Sequence, residues 1–318
     1  MSAPADLVLK LRRGGKPALA RALARIEAAP QAQDTLALLD AAWAQPRAAV
    51  LGLTGPPGVG KSTLVSALLR AWRGQGRTVG VIAVDPSSRR TRGALLGDRT
   101  RIDVDPEDQG VFVRSMAARE RLGGLADLCA AAMVLMRAVY DIVLVETVGV
   151  GQSETEVAEL VDTVLFAVQP GSGDSLQYMK AGIVEIPDIA IVTKADLAGL
   201  AERAKRDLEG ALRLAASAGT GWQPPVLLVS APNGQGIEAT IDAIGRHGRW
   251  LAQAGTLDGK REAQARVWLE RWVREEFGRR GAARAAAVLP GIAADRSVSP
   301  FRWLARAVQA VEAGHSPS

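Results

Sequence analysis

Leu51–Leu68 reads LGLTGPPGVGKSTLVSAL: an apolar run, a glycine-rich turn, then a helical run. Inside it, Gly55, Pro56, Pro57, Gly58, Val59, Gly60, Lys61 and Ser62 satisfy G-x-x-x-x-G-K-[ST] at every position. Glycines let successive backbone N–H groups turn inward on phosphate oxygens. A helix starting near Lys61 adds the positive end of its dipole, with Thr63 in its first turn. Lys61 is expected to reach the β- and γ-phosphates, and Ser62 to ligate Mg²⁺. A chance match would not need a strand before the turn and a helix after it.

That order implies a sheet, and the rest of the chain supplies one. Short Val/Ile-rich runs occur at 48–54, 79–84, 141–145, 163–168, 189–193 and 226–229, mostly separated by helical stretches. This alternation predicts an α/β fold of the P-loop NTPase kind, a mostly parallel sheet with helices on both faces. Ligands of such sheets bind at the carboxyl ends of the strands. Residues 1–46 read as helical, with Leu19, Leu23 and Ile26, then Leu36, Leu39 and Trp43, at helical spacing and Pro30 and Pro46 as punctuation. After about 256 the strands stop. A helix is predicted over 262–277 with Trp268, Leu269, Trp272 and Val273 on one face, a Gly/Ala/Pro-rich loop follows, and a short helix covers 300–311. The expected division is an N-terminal helical segment (1–46), a nucleotide domain (47–255) and a C-terminal helical arm (256–318). The tryptophan pair is either core or an oligomer interface.

With 318 residues, 48% of them hydrophobic, the chain can bury a large core. Its net charge of +5 is spread over arginine-rich helical faces. It has no lysine tract and no aromatic-basic alternation, so no nucleic-acid partner is expected. Cys129 is the sole cysteine and lies in the apolar run LCAAAMVLM, which predicts a buried small side chain. Two histidines, His247 and His315, exclude a Cys/His metal cluster, and neither stands in a D-x-H-x-x-G cobalamin motif. No segment offers the ~18 uncharged apolar residues of a membrane span. The expectation is a cytoplasmic protein, unless a cleaved import segment precedes the given chain.

The base is read from two later stretches. Thr193-Lys194-Ala195-Asp196 follows the run at 189–193 and resembles the N-K-x-D guanine reader. A carboxylate at Asp196 can accept from both guanine N1–H and N2–H₂, a pattern adenine does not offer. Lys194 is expected along the base plane, bracing the phosphate loop. Thr193 replaces the usual Asn, so loss of a bracing carboxamide is expected. Ser230-Ala231-Pro232 follows the last strand, resembling the loop whose backbone contacts guanine O6. GTP/GDP is therefore the expected ligand.

The middle of the chain narrows the family. Asp85-Pro86-Ser87-Ser88, Leu95-Leu96-Gly97-Asp98-Arg99-Thr100-Arg101, Glu146-Thr147-Val148-Gly149-Val150-Gly151-Gln152-Ser153-Glu154, and Gln169-Pro170-Gly171-Ser172-Gly173-Asp174 with Gln177 and Lys180 together resemble the MeaB/ArgK family of P-loop GTPases. The resemblance runs from about Leu19 to Phe277. It implies a G-protein chaperone that gates adenosylcobalamin loading and protects a B12-dependent acyl-CoA mutase, chiefly methylmalonyl-CoA mutase. It also implies a homodimer joined through the C-terminal arm, with Trp268 and Trp272 in the contact, and a third switch at Asp174, Gln177 and Lys180. An ordinary polar loop is the other reading of those three.

The residues also carry chemistry of their own. Asp85, Asp98 and Glu146 are carboxylates expected near the γ-phosphate, where Mg²⁺ takes oxygen ligands directly or through water. Gly149 stands in a D-x-x-G-like switch with Glu146 in place of Asp, and its N–H can sense the γ-phosphate. Gln152 either orients the attacking water or begins a helix. Two alternatives stand beside the chaperone GTPase. One is a nucleotide-dependent scaffold with negligible turnover. The other is a metallochaperone GTPase, which the scarcity of Cys and His disfavours.

Overall fold

The computed structural model describes residues 4–86, 102–118, 125–147, 156–171, 186–215, 221–286, 289–295 and 297–312. Their contacts divide into two compact units.

One unit is built on a seven-stranded sheet: β1 (Ala49–Thr54), β2 (Val79–Pro86), β3 (Val111–Ala118), β4 (Ile142–Glu146), β5 (Thr163–Val168), β6 (Ile189–Val192) and β7 (Val226–Leu228). The strand order is β3-β2-β4-β1-β5-β6-β7. Every pair from β2 to β7 in that order is parallel. β5 and β6 are buried along their whole length, as parallel strands covered on both faces must be. Leu165 and Ala167 face one core with α4 (Lys61–Gly74) and α7 (Ile237–Gln253). Phe166 and Val168 face the other with α6 (Ala198–Ala215). The two sets alternate because strand side chains do.

β3 was not among the six runs read as strands. Its sequence, VFVRSMAA, interrupts the apolar pattern with Arg114 and Ser115. It is an edge strand, so one side of it needs no strand partner, and the signal is correspondingly weak.

The register puts the functional edge in one line. Leu53 of β1 pairs with Glu146 of β4, and Thr54 with Phe166 of β5. Val168 pairs with Val192, and Val192 with Leu228. The residues that follow these strands therefore emerge together. β1 lies between β4 and β5, where the chain reverses its direction of travel across the sheet. That is the crevice such folds use for ligands.

The second unit is helical. It contains α1 (Pro4–Arg13), α2 (Gly15–Ala28), α3 (Gln33–Trp43), α5 (Leu125–Val139), the bulk of α8 (Thr256–Ala285), α9 (Leu289–Ala293) and α10 (Pro300–Glu312). α5 belongs to this unit although it lies within 47–255 of the sequence. Cys129 on α5 is buried, and burial pushes its thiol up to about 12. α8 breaks at Gly278, whose φ of 64° and ψ of −171° lie outside the helical region, so the helix read over 262–277 ends at a real kink. The stretch beyond it, read as loop, holds a further helical segment and α9.

The tryptophan pair is core. Trp268 and Trp272 are 3% and 2% exposed. Trp43 meets Trp268 edge-on, with centroids 6.3 Å apart, and Trp272 stacks on Phe301 at 5.3 Å. The interface role expected of the pair is thereby corrected: the chain's own aromatics already cover these rings.

Candidate functional site

The phosphate loop leaves β1 at Gly55. Its φ is 137°, and a Cβ there would lie 2.1 Å from the carbonyl oxygen of Ala167. Only glycine fits such an approach of backbone to backbone. Gly60, at φ 95°, begins α4 without a side-chain cap, and no acidic residue occupies the first turn. The opening amides of α4 are thus not answered by a capping side chain, which is the condition for an anion seat.

Lys61 is buried, and its Nζ donates to the carbonyls of Gly55 (2.7 Å) and Pro56 (3.0 Å). A cation withdrawn from water needs such acceptors. They also hold its charge inside the loop. Ser62 Oγ donates to Glu146 Oε1 at 2.9 Å. Glu146 is buried at the end of β4, one strand away from the loop. Pro57, Gly58, Lys61, Ser62 and Glu146 line part of a cavity of about 400 Å³ that reaches Val84 of β2, a volume within the range of small-molecule sites. The Ser62 hydroxyl and Glu146 carboxylate present oxygen donors side by side, the ligand type Mg²⁺ takes. Asp85 follows Val84, and its backbone lies in β2. Its side chain, and all of Asp98, Gly149, Gln152, Asp174, Gln177 and Lys180, lie outside the described residues.

The T-K-x-D stretch comes back against the same loop. Thr193 Oγ1 lies 2.7 Å from the carbonyl oxygen of Val59 and 3.0 Å from that of Val168. Lys194 has a φ of 52°, the one positive value among described non-glycine residues. This turn aims Nζ at Gly58 O (3.3 Å) and Gln169 Oε1 (2.5 Å). Asp196 is exposed and accepts from Ser230 Oγ at 2.8 Å. Ser230 is buried, and Ala231, Pro232 and Asn233 form a short 3₁₀ turn after it. Phosphate loop, T-K-x-D and S-A-P therefore share one edge of one sheet. Such an arrangement can seat a polyphosphate at one end and a base at the other.

A family model described as methylmalonyl Co-A mutase-associated GTPase MeaB matches residues 19–286. The chain belongs to the MeaB family of GTPases. It is 37% identical over 278 residues to the GTPase ArgK of Escherichia coli, a match covering 86% of this chain and 84% of that one. It is 38% identical over 228 residues to the mitochondrial methylmalonic aciduria type A homolog of Mus musculus, covering 71% of this chain and 55% of that protein. Among solved structures, one titled LAO/AO transport system kinase matches with a TM-score of 0.69 and 29% identity, over 97% of both chains. The motif resemblance and the α/β P-loop fold are thus established, and with them a GTPase.

In this MeaB-family chain Thr193 brings no carboxamide, as its identity dictates, but its hydroxyl makes a contact of its own with Val59 O of the phosphate loop. Sequence reading also passed over two contacts. Thr147 Oγ1 donates to Thr54 Oγ1 at 2.9 Å, both side chains buried, at the strand end from which the loop departs. Gln169 takes the Lys194 ammonium. Each of Thr147, Gln169 and Thr193 is the first residue after its strand. Aligning the strand ends would have flagged them.

Proposed function

We propose that this GTPase is a G-protein chaperone of an adenosylcobalamin-dependent acyl-CoA mutase of the methylmalonyl-CoA mutase type, coupling GTP hydrolysis to cofactor loading and protection. The observation that carries the reading is the match over residues 19–286 to a family described as methylmalonyl Co-A mutase-associated, in a chain whose phosphate loop is unaltered and whose Ser62 hydroxyl meets the Glu146 carboxylate. In this reading the loop from Gly55 to Thr63 holds the phosphates. Lys61, now on Gly55 and Pro56 carbonyls, moves its charge onto the β- and γ-oxygens. Thr193, Lys194, Asp196, Ser230, Ala231 and Pro232 surround the guanine. Ser62, Glu146, Asp85 and Asp98 would hold Mg²⁺, which neutralises developing phosphate charge when bound. Gly149 and Gln152 serve the switch and the attacking water.

Turnover by the chain alone is expected to be slow. No described residue is an arginine finger poised over the loop, so ordering by a partner is the route to acceleration. Asp174, Gln177 and Lys180 are the proposed reporters to that partner. The proposed homodimer uses the C-terminal arm through faces other than the buried Trp268 and Trp272. The proposed location is the cytoplasm; no described helix is long and apolar enough to cross a membrane.

The test is GTP hydrolysis by the purified chain, alone and with the acyl-CoA mutase of the same genome, with ATP in parallel. Acceleration by the mutase with GTP alone supports the chaperone. A rate that stays at background with the mutase favours the scaffold instead.

A further inference from the structure

Thr193 stands where the guanine-reading motif ordinarily has an asparagine, and its surroundings decide what it can do there. The residue is 6% exposed. Its hydroxyl carries one hydrogen, and its two close neighbours, the carbonyl oxygens of Val59 and Val168, can only accept. That hydrogen is committed between them. Val59 is fully buried in the middle of the phosphate loop, and Val168 ends β5. The hydroxyl therefore ties the loop to the sheet. The next residue faces the same way: Lys194 Nζ is directed at Gly58 O and Gln169 Oε1.

Guanine displays two acceptors, N7 and O6, on its major-groove edge. A carboxamide has two N–H donors and can serve a loop carbonyl and a base nitrogen at once. A threonine hydroxyl has one donor and cannot. Base selection then falls to Asp196, whose acceptors suit the opposite, Watson–Crick edge.

We propose that Thr193 is a positioning residue that clamps the phosphate loop, and that it gives guanine N7 no donor where an asparagine would, so the protein accepts 7-deazaguanine nucleotides as readily as guanine ones. The proposal rests on the GTP-binding reading of the same site and adds a specificity to it.

The experiment measures Kd for GTP, 7-deaza-GTP and ATP with the full chain and with its T193S, T193V and T193N variants. The wild type is expected to bind GTP and 7-deaza-GTP within about twofold of each other. T193V should weaken both guanine nucleotides alike, by about tenfold, because the Val59 carbonyl loses its donor. T193S, which keeps the hydroxyl, should restore both to within about twofold. T193N adds a second donor and should bind GTP about fivefold better than 7-deaza-GTP, a preference that a merely structural residue would not create. If T193V fails to fold, the wild-type and T193N ratios decide. A wild-type preference of tenfold for GTP over 7-deaza-GTP would overturn the proposal, as would unchanged GTP binding by folded T193V. Failure of the wild type to prefer GTP over ATP is a separate result: it sinks the guanine assignment itself, and the inference with it.

Discussion

In the sheet unit, the polar contacts that shape the site come from strand ends lying side by side. Thr54 meets Thr147, Gln169 meets Lys194, and Asp196 meets Ser230, each pair from β-strands adjacent in the sheet. In the helical unit the corresponding contacts join residues with no such shared frame. Asp40 of α3 accepts from the backbone N–H and hydroxyl of Ser299, the residue before α10, and from Arg302 in the first turn of that helix. Trp43, Trp268, Trp272 and Phe301 form one aromatic chain drawn from three helices. The comparison teaches that a parallel sheet converts short local motifs into a site, because one register aligns all of its strand ends. Helix packing offers no equivalent register, so its contacts depend on which faces happen to meet.

That contrast can be tested by separating stability from turnover. The largest effect is expected from W272A, which removes a fully packed ring and should lower unfolding free energy by about 3–5 kcal/mol. Denaturant unfolding reads it. The folded fraction should keep its affinity for GTP, and a lost affinity would break the division between the units.

K61A should leave unfolding nearly unchanged while turnover falls at least about a hundredfold, or some 2.7–4 kcal/mol of transition-state stabilisation. Phosphate release is the assay. Hydrolysis that survives would remove Lys61 from the site.

D196N should lower the preference for GTP over ATP by about tenfold, near 1.4 kcal/mol, since a carboxamide cannot accept from both guanine donors. Competition binding measures it. An unchanged ratio would move base recognition elsewhere.

The smallest effect belongs to Asp295, whose carboxyl is held down at about 2 by hydrogen bonds from Ser297 and then by Arg306. Its folded pKa lies below the ordinary 3.8. Its contribution is therefore present above that value and is lost as pH falls through about 2. The stability gap between wild type and D295N should shrink between about pH 4 and pH 2 in acid unfolding. A gap independent of pH would mean that the carboxylate charge plays no part.

Much of the phosphate loop was legible in residue order alone, because Gly55, Gly60, Lys61 and Ser62 act within eight residues and their backbone geometry is local. The aromatic core was half legible. Helical spacing put Trp268 and Trp272 on one face, but spacing says nothing about what that face meets, and the interface expectation failed there. β3 was missed because Arg114 and Ser115 break its apolar run, and an edge strand tolerates that. Thr193 is the clearest case. Its identity suggested a lost brace, whereas its depth against Val59 supplies a different one.

By itself, then, the sequence determined the phosphate loop and the six core strands β1, β2, β4, β5, β6 and β7, since their signals are set by neighbours a few bonds away. The tertiary structure alone decided that Glu146 faces Ser62, that Thr193 grips Val59, and that the tryptophans are enclosed. Those contacts span 84, 134 and more than 200 residues of chain. They exist only because the sheet register and the helix packing bring distant backbone into the same few ångströms.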